Sequence, residues 1–222
     1  ILQKAGFRPA TLLGLVATVG VTFAAYWKGA GAIPLVAAVM FVATMAWYLM
    51  RIVDARPLAN VAVTTMTFVW IGLLGSFSAV MLRAQHGSGL FLGAVLTAVA
   101  ADVVAYVAGS RFGSHPLAPQ TSPGKTVEGV IAGGLAAVVV GLIVGKEITP
   151  WGGLAHGFAL GLVVAVLAPI GDLFESMVKR DLGIKDSGGI LPGHGGALDR
   201  FDSLLIVLPA VYYLALTFNI VK

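Results

Sequence analysis

Long uncharged apolar runs, separated by short polar connections, dominate the chain. Thr11–Trp27, Gly31–Met50, Leu58–Leu82, Val130–Gly145 and Ser203–Val221 contain no formally charged residue. Ser88–Ser110 holds only Asp102, and Trp151–Leu173 only His156 and Asp172. About 20 apolar residues of helix cross a bilayer, so the pattern predicts seven spans, of which the fifth is short. The runs are continuously apolar and do not alternate, which argues against a strand-based barrel. The expected fold is all-α: a polytopic integral membrane helix bundle with about seven transmembrane helices in this chain. Its first residue is Ile1 rather than methionine, and further helices are expected upstream.

Composition agrees with that class. The chain is 58% hydrophobic and 11% charged, with mean hydropathy +0.95, where soluble domains carry roughly 25% charge. Its 29 glycines suit membrane helices whose backbones approach closely. The absence of cysteine removes disulfides and thiolate metal sites and decides nothing about compartment. Basic residues set the expected orientation. Lys4, Arg8, Arg51, Arg56, Arg111, Lys125, Lys179, Arg180, Lys185 and Arg200 fall on the side of the N-terminus, against Lys28, Arg83, Lys146 and Lys222 opposite. The richer side is expected to be cytoplasmic, although the N-terminal half alone does not decide it.

The outer connections are brief, whereas the inner ones lengthen toward the C-terminus. A division follows into scaffold helices over residues 1–87 and a catalytic region over 88–222, with cytoplasmic loops at 111–129 and 174–202. Ten of the 24 charged residues lie between Asp172 and Asp202, with His194 and six glycines among them. Costly groups gathered beside apolar spans point to a charged ligand.

At helical spacing Asp172, Glu175 or Ser176, and Lys179 share one face. Locally two readings stand: a carboxylate site for a divalent cation, or an ion pair of Asp172 or Glu175 with Lys179 at the helix end. Asp199 and Asp202, three apart, point the same way on a helical turn. Aspartates with few sulfur or imidazole donors suit Mg²⁺. Lys179, Arg180, Lys185 and Arg200 supply countercharge for a polyphosphate. A basic loop held by anionic lipid headgroups accounts for the cations but not for the interleaved acids. Asp102 lies roughly 12 Å inside its span at 1.5 Å per residue, either lining a cavity near the metal site or hydrogen-bonded to a neighbouring helix. Gly124–Lys125–Thr126 is not a P-loop, because Pro119 stands where that motif needs glycine. Ser122–Pro123 is expected to cap a helix whose exposed amides can bind phosphate. His156 is expected at the interface; Trp47, Tyr48, Trp70 and Trp151 serve as bilayer anchors or in packing.

Ser176–Met177–Val178–Lys179–Arg180, Lys185–Asp186, Gly188, Leu191–Pro192, His194–Gly195–Gly196 and Asp199–Arg200–Phe201–Asp202 together resemble the signature of the phosphatidate cytidylyltransferases. Ala197 stands where that family usually has a larger aliphatic residue. A second segment is similar too: Asp102, Ala105–Tyr106, Gly109, Arg111 and Gly113, then Ser122 to Gly129. There Gly124 replaces a usual lysine and Val127 a usual tryptophan. The likeness covers about residues 88–222.

The resemblance implies transfer of CMP from CTP to phosphatidic acid, forming CDP-diacylglycerol and pyrophosphate in phospholipid biosynthesis. It implies catalytic roles for Asp172, Asp199, Lys179 and Lys185, and substrate contacts from Ser122, Lys125, Thr126, Arg180, His194, Arg200 and Asp102. Asp172, Asp199 and Asp202 are the expected ligands of Mg²⁺, with a second cation, K⁺ or another Mg²⁺, beside it. The expected partners are CTP, phosphatidic acid, membrane lipids and a second copy of the chain as a homodimer, with no nucleic acid. The expected location is the bacterial inner membrane, with the site facing the cytoplasm. Two other functions fit parts of the pattern. One is a CTP-dependent kinase of polyprenol or phytol; the other is a non-enzymatic transporter with a cytoplasmic metal site.

Overall fold

The structure is a computed structural model that describes residues 2–3, 5–50, 56–184, 198 and 201–221. It divides into two compact units, Ile1–Arg83 and Ala84–Lys222. The first contains helices α1 (Thr11–Lys28), α2 (Ile33–Leu49), α3 (Pro57–Thr67) and α4 (Leu74–Arg83). A π-helical turn over Phe68–Leu73 joins α3 to α4, so Pro57–Arg83 runs as one helix long enough to cross a membrane. Prolines at the first turns of α2 and α3 fall where a missing N–H costs nothing. Near the N-terminal end of α3, Asn60 accepts from the Arg8 amide at 2.7 Å and Thr64 accepts from the Ala10 amide at 3.1 Å. Tyr48 of α2 donates to the Arg8 carbonyl at 2.7 Å. Neutral side chains thus satisfy the backbone that leads into α1.

The second unit contains α5 (Gly87–Phe112), a hairpin of β1 (Pro116–Ala118) and β2 (Ser122–Thr126), then α6 (Val127–Glu147), α7 (Leu154–Asp181) and α8 (Asp202–Thr217). Small residues recur every fourth position along α6 at Gly129, Gly133, Ala137, Gly141 and Gly145, all buried. A Cβ on Gly133 would lie 2.6 Å from the Ala101 carbonyl of α5, and one on Gly141 would lie 2.4 Å from the Gly157 carbonyl of α7. Only glycine permits backbones this close, which is how helices pack without a hydrophobic driving force in lipid. The opposite faces carry exposed Leu135, Val139 and Ile143 on α6 and Leu162, Val166 and Ile170 on α7. Those rows are suited to lipid. Fully buried Trp151 fills the space above Gly93, and Tyr48 and Trp70 are buried as well, so these three pack rather than anchor.

Among the described residues, six helices are long and apolar enough to cross a membrane, and the chain is an all-α polytopic integral membrane protein. The seventh apolar run forms α8 with 16 residues, about 24 Å at 1.5 Å per residue, shorter than a bilayer core of about 30 Å. Two local expectations fail. Ser122 is not a helix cap; it begins β2, and Thr126 caps α6 by accepting from the Gly129 amide at 3.2 Å. Thr126 holds extended backbone angles before Val127, the conformation a cap requires, while Pro123 and Gly124 continue the strand. Residues 174–181, expected in a loop, instead extend α7 by two turns. That helix stops where Gly183 takes a left-handed φ of +68° and Ile184 donates to the Lys179 carbonyl at 2.9 Å, a C-terminal motif that favours glycine.

Candidate active site at the charged end of α7 and α8

Three acids converge where α7 meets the start of α8. Asp172 and Glu175, one turn apart on α7, share a face with Asp202, the first residue of α8. Each offers a carboxylate oxygen, and the three lie within 4.8 Å of one another. Gly171 allows the approach: a Cβ there would sit 2.7 Å from the Asp202 carbonyl and 2.9 Å from Ser203 Cα. Glycine directly before Asp172 therefore brings two helix backbones together at the acids.

Carboxylates this close repel one another unless cations intervene. Lys125, on β2, forms an ion pair with Asp172. Lys179, one turn after Glu175, pairs with it at 3.1 Å, although Glu175 is only 1% exposed. Among the described residues, two ammoniums thus meet three acids. An all-oxygen donor set of this kind can hold a metal ion and fits a hard divalent cation. The ion pair expected at the helix end and the acidic cluster are thus both present, sharing Glu175.

The hairpin is fastened to this end of the unit. Arg180 Nε donates to the Thr121 carbonyl at 3.1 Å, and His115 Nδ1 meets Glu128 Oε1 at 2.6 Å. Those contacts carry Lys125 to Asp172. Asp102 of α5 accepts from Ser203 Oγ at 2.9 Å, and the charges of Asp172 and Lys125 act on it. Asp102 is therefore both bonded to a neighbouring helix and adjacent to the acids. Thr126 spends its hydroxyl oxygen on the helix cap, and Ser122 is half-buried at the start of β2. Asp199, Lys185, His194 and Arg200 lie outside the described residues. The anticipated meeting of Asp172 with Asp199 is not described there; Asp202 is the residue from that segment that meets Asp172. Glu175 is the member absent from the expected ligand set. Its signal is its spacing, one helical turn after Asp172.

The profile described as the Cytidylyltransferase family matches residues 2–218. A phosphatidate cytidylyltransferase of Mycobacterium bovis is 41% identical over 153 residues, covering 67% of this chain and 48% of the relative. One from Helicobacter pylori is 42% identical over 144 residues, covering 63% and 52%. One from Brucella abortus is 42% identical over 141 residues, covering 62% and 51%. The chain spans about half the length of the curated relatives it matches. With that match running through nearly all of both units, the chain belongs to the cytidylyltransferase family.

Proposed function

We propose that the protein transfers CMP from CTP to phosphatidic acid, giving CDP-diacylglycerol and pyrophosphate. The observation that carries this reading is the meeting of part-exposed Asp172 with buried Glu175 and Asp202, beside two lysines at one end of the membrane helices. Supporting it are the family match and the names of the similar proteins. A phosphate oxygen of the lipid attacks the α-phosphorus of CTP, forming the new P–O bond as the bond to the β-phosphate oxygen breaks. Pyrophosphate leaves with that electron pair. No protein nucleophile is needed.

Asp172, Glu175 and Asp202 would hold Mg²⁺, joined by Asp199; a second cation beside them, K⁺ or another Mg²⁺, is also proposed. Bound there, a divalent cation supplies charge stabilisation to the polyphosphate and its leaving group. Lys125 and Lys179 already lie on the acids and can turn their ammoniums to phosphate oxygens. Arg180, Lys185 and Arg200 add countercharge, and Ser122, Thr126, Asp102 and His194 contact substrate. The apolar helices leave two acyl chains in lipid while the headgroup reaches these charges. A homodimer in the bacterial inner membrane, with the site facing cytoplasmic CTP, completes the proposal.

The test uses full-length protein in lipid nanodiscs with α-labelled CTP, phosphatidic acid and Mg²⁺. Labelled CDP-diacylglycerol with equimolar pyrophosphate is expected. Release of CDP with a phosphorylated alcohol would identify a lipid kinase, and solute flux without CTP turnover a transporter.

A further inference from the structure

Ser203 bridges two acids that belong to different helices. Its amide donates to Asp202 Oδ1 at 2.7 Å, and its hydroxyl donates to Asp102 Oδ2 at 2.9 Å. The residue is 2% exposed, so water does not substitute for either bond. Asp202 belongs to the metal-competent cluster, whereas Asp102 stands on α5 within an otherwise uncharged span. The Gly171 backbone packs against Ser203 Cα, so the serine is held from the α7 side as well. The Ser203 backbone thus meets Asp202 and α7, and its hydroxyl alone ties this end of α8 to Asp102 of α5.

We propose that Ser203 is a positioning residue for the cytidylyl transfer, holding the Asp102 carboxylate at the edge of the Asp172–Glu175–Asp202 cluster. The inference rests on the activity proposed above and adds a residue to it. A hydroxyl is required because it is a compact donor that satisfies one Asp102 oxygen and leaves the other free to accept. A methyl in its place leaves Asp102 unheld inside the bundle. Such a carboxylate is free to rotate, and loss of a hydrogen bond to a charged group is worth roughly a tenfold effect or more.

The test is a double-mutant cycle on full-length protein in nanodiscs, with pyrophosphate release and Mn²⁺ binding by electron paramagnetic resonance as separate readouts. Ser203→Ala should lower kcat about tenfold, with KM for CTP little changed. Ser203→Thr, which keeps the hydroxyl, should recover most of the loss. In an Asp102→Ala background, Ser203→Ala should add little, because the group it positions is gone. Mn²⁺ affinity should fall less than kcat in Ser203→Ala, since Asp172, Glu175 and Asp202 remain. Additive losses, or an alanine variant as active as wild type, would overturn the positioning role. If Ser203→Thr fails to fold, the additivity result alone decides. Wild-type protein that releases no pyrophosphate would instead sink the proposed activity, and Mn²⁺ binding would still report whether Ser203 affects the acids.

Discussion

Among the described residues, the two units differ in the charged groups they bury. In the first, Thr44, Asn60, Thr64 and Ser76 are buried, and each closes its hydrogen bonds on nearby backbone, such as Thr44 on the Met40 carbonyl at 2.8 Å and Ser76 on the Leu73 carbonyl at 2.7 Å. These groups are neutral and complete. In the second, Glu175 and Asp202 are buried beside Asp172, with Lys125 and Lys179 paired to Asp172 and Glu175. Neutral, satisfied groups stabilise a fold, whereas closely spaced like charges oppose it. A divalent cation bound there would relieve that repulsion. The contrast separates scaffold from site, and substitutions in each unit should behave accordingly.

The largest effect is expected at Asp172. Asp172→Asn keeps the shape and removes a charge from the cluster, so kcat should fall about a thousandfold or more, because metal-assisted charge stabilisation supplies several kcal/mol at about 1.4 kcal/mol per decade. Protein stability should hold or rise, since one member of a repelling set is gone. Thermal unfolding measured beside pyrophosphate release checks both parts. A variant that unfolds early yet turns over normally would place Asp172 with the scaffold.

Gly171→Ala comes next. Its new methyl would meet backbone atoms of Asp202 and Ser203 at 2.7 and 2.9 Å, and backbone cannot yield as a flexible side chain does. Separating α7 from α8 by about 1 Å should cost roughly a hundredfold in turnover and about 1–3 kcal/mol in stability. Here both readouts move together, which distinguishes geometry from charge.

These two positions show what could be read from the residues and what could not. The spans were legible because bilayer thickness imposes a length on apolar runs, and Asp172, Glu175 and Lys179 were legible as one face because helical spacing is local. The exclusion of Glu175 from the expected ligands followed from a limit of the same rule. Spacing shows that three side chains share a face but not which segment that face meets. Ser203 and Asp102 lie 101 positions apart, and no periodicity joins them. The hairpin was missed because Pro123 reads equally well as a first-turn proline and as an edge-strand residue. The better signal was Thr126, directly before the apolar run that becomes α6.

A smaller effect is expected from Lys125→Met. It removes the partner of Asp172 and one phosphate countercharge while keeping most of the side-chain length. KM for CTP should rise about tenfold or more, consistent with loss of a charged hydrogen bond. Mg²⁺ should bind more tightly without nucleotide, because the cation no longer competes with the ammonium for Asp172. Calorimetry with Mg²⁺ alone tests that second outcome directly. Weaker Mg²⁺ binding would mean that Lys125 shapes the site instead of balancing its charge.

The smallest catalytic effect should come from Asn60→Leu in the first unit. The leucine fills the space but neither accepts from the Arg8 amide nor donates to the Arg56 carbonyl, as Asn60 does at 2.7 and 2.8 Å. Arg8 is exposed and the bond only part-buried, so its loss should cost about 0.5–1.5 kcal/mol. The thermal midpoint should therefore drop while kcat and KM for CTP stay at wild-type values below it. The Asp172→Asn variant should show the reverse, with stability kept and turnover lost. A fall in kcat for Asn60→Leu at temperatures where the protein is fully folded would show that the polar clasp around Arg8 contributes to the chemistry, and the separation of scaffold from site would fail at that residue.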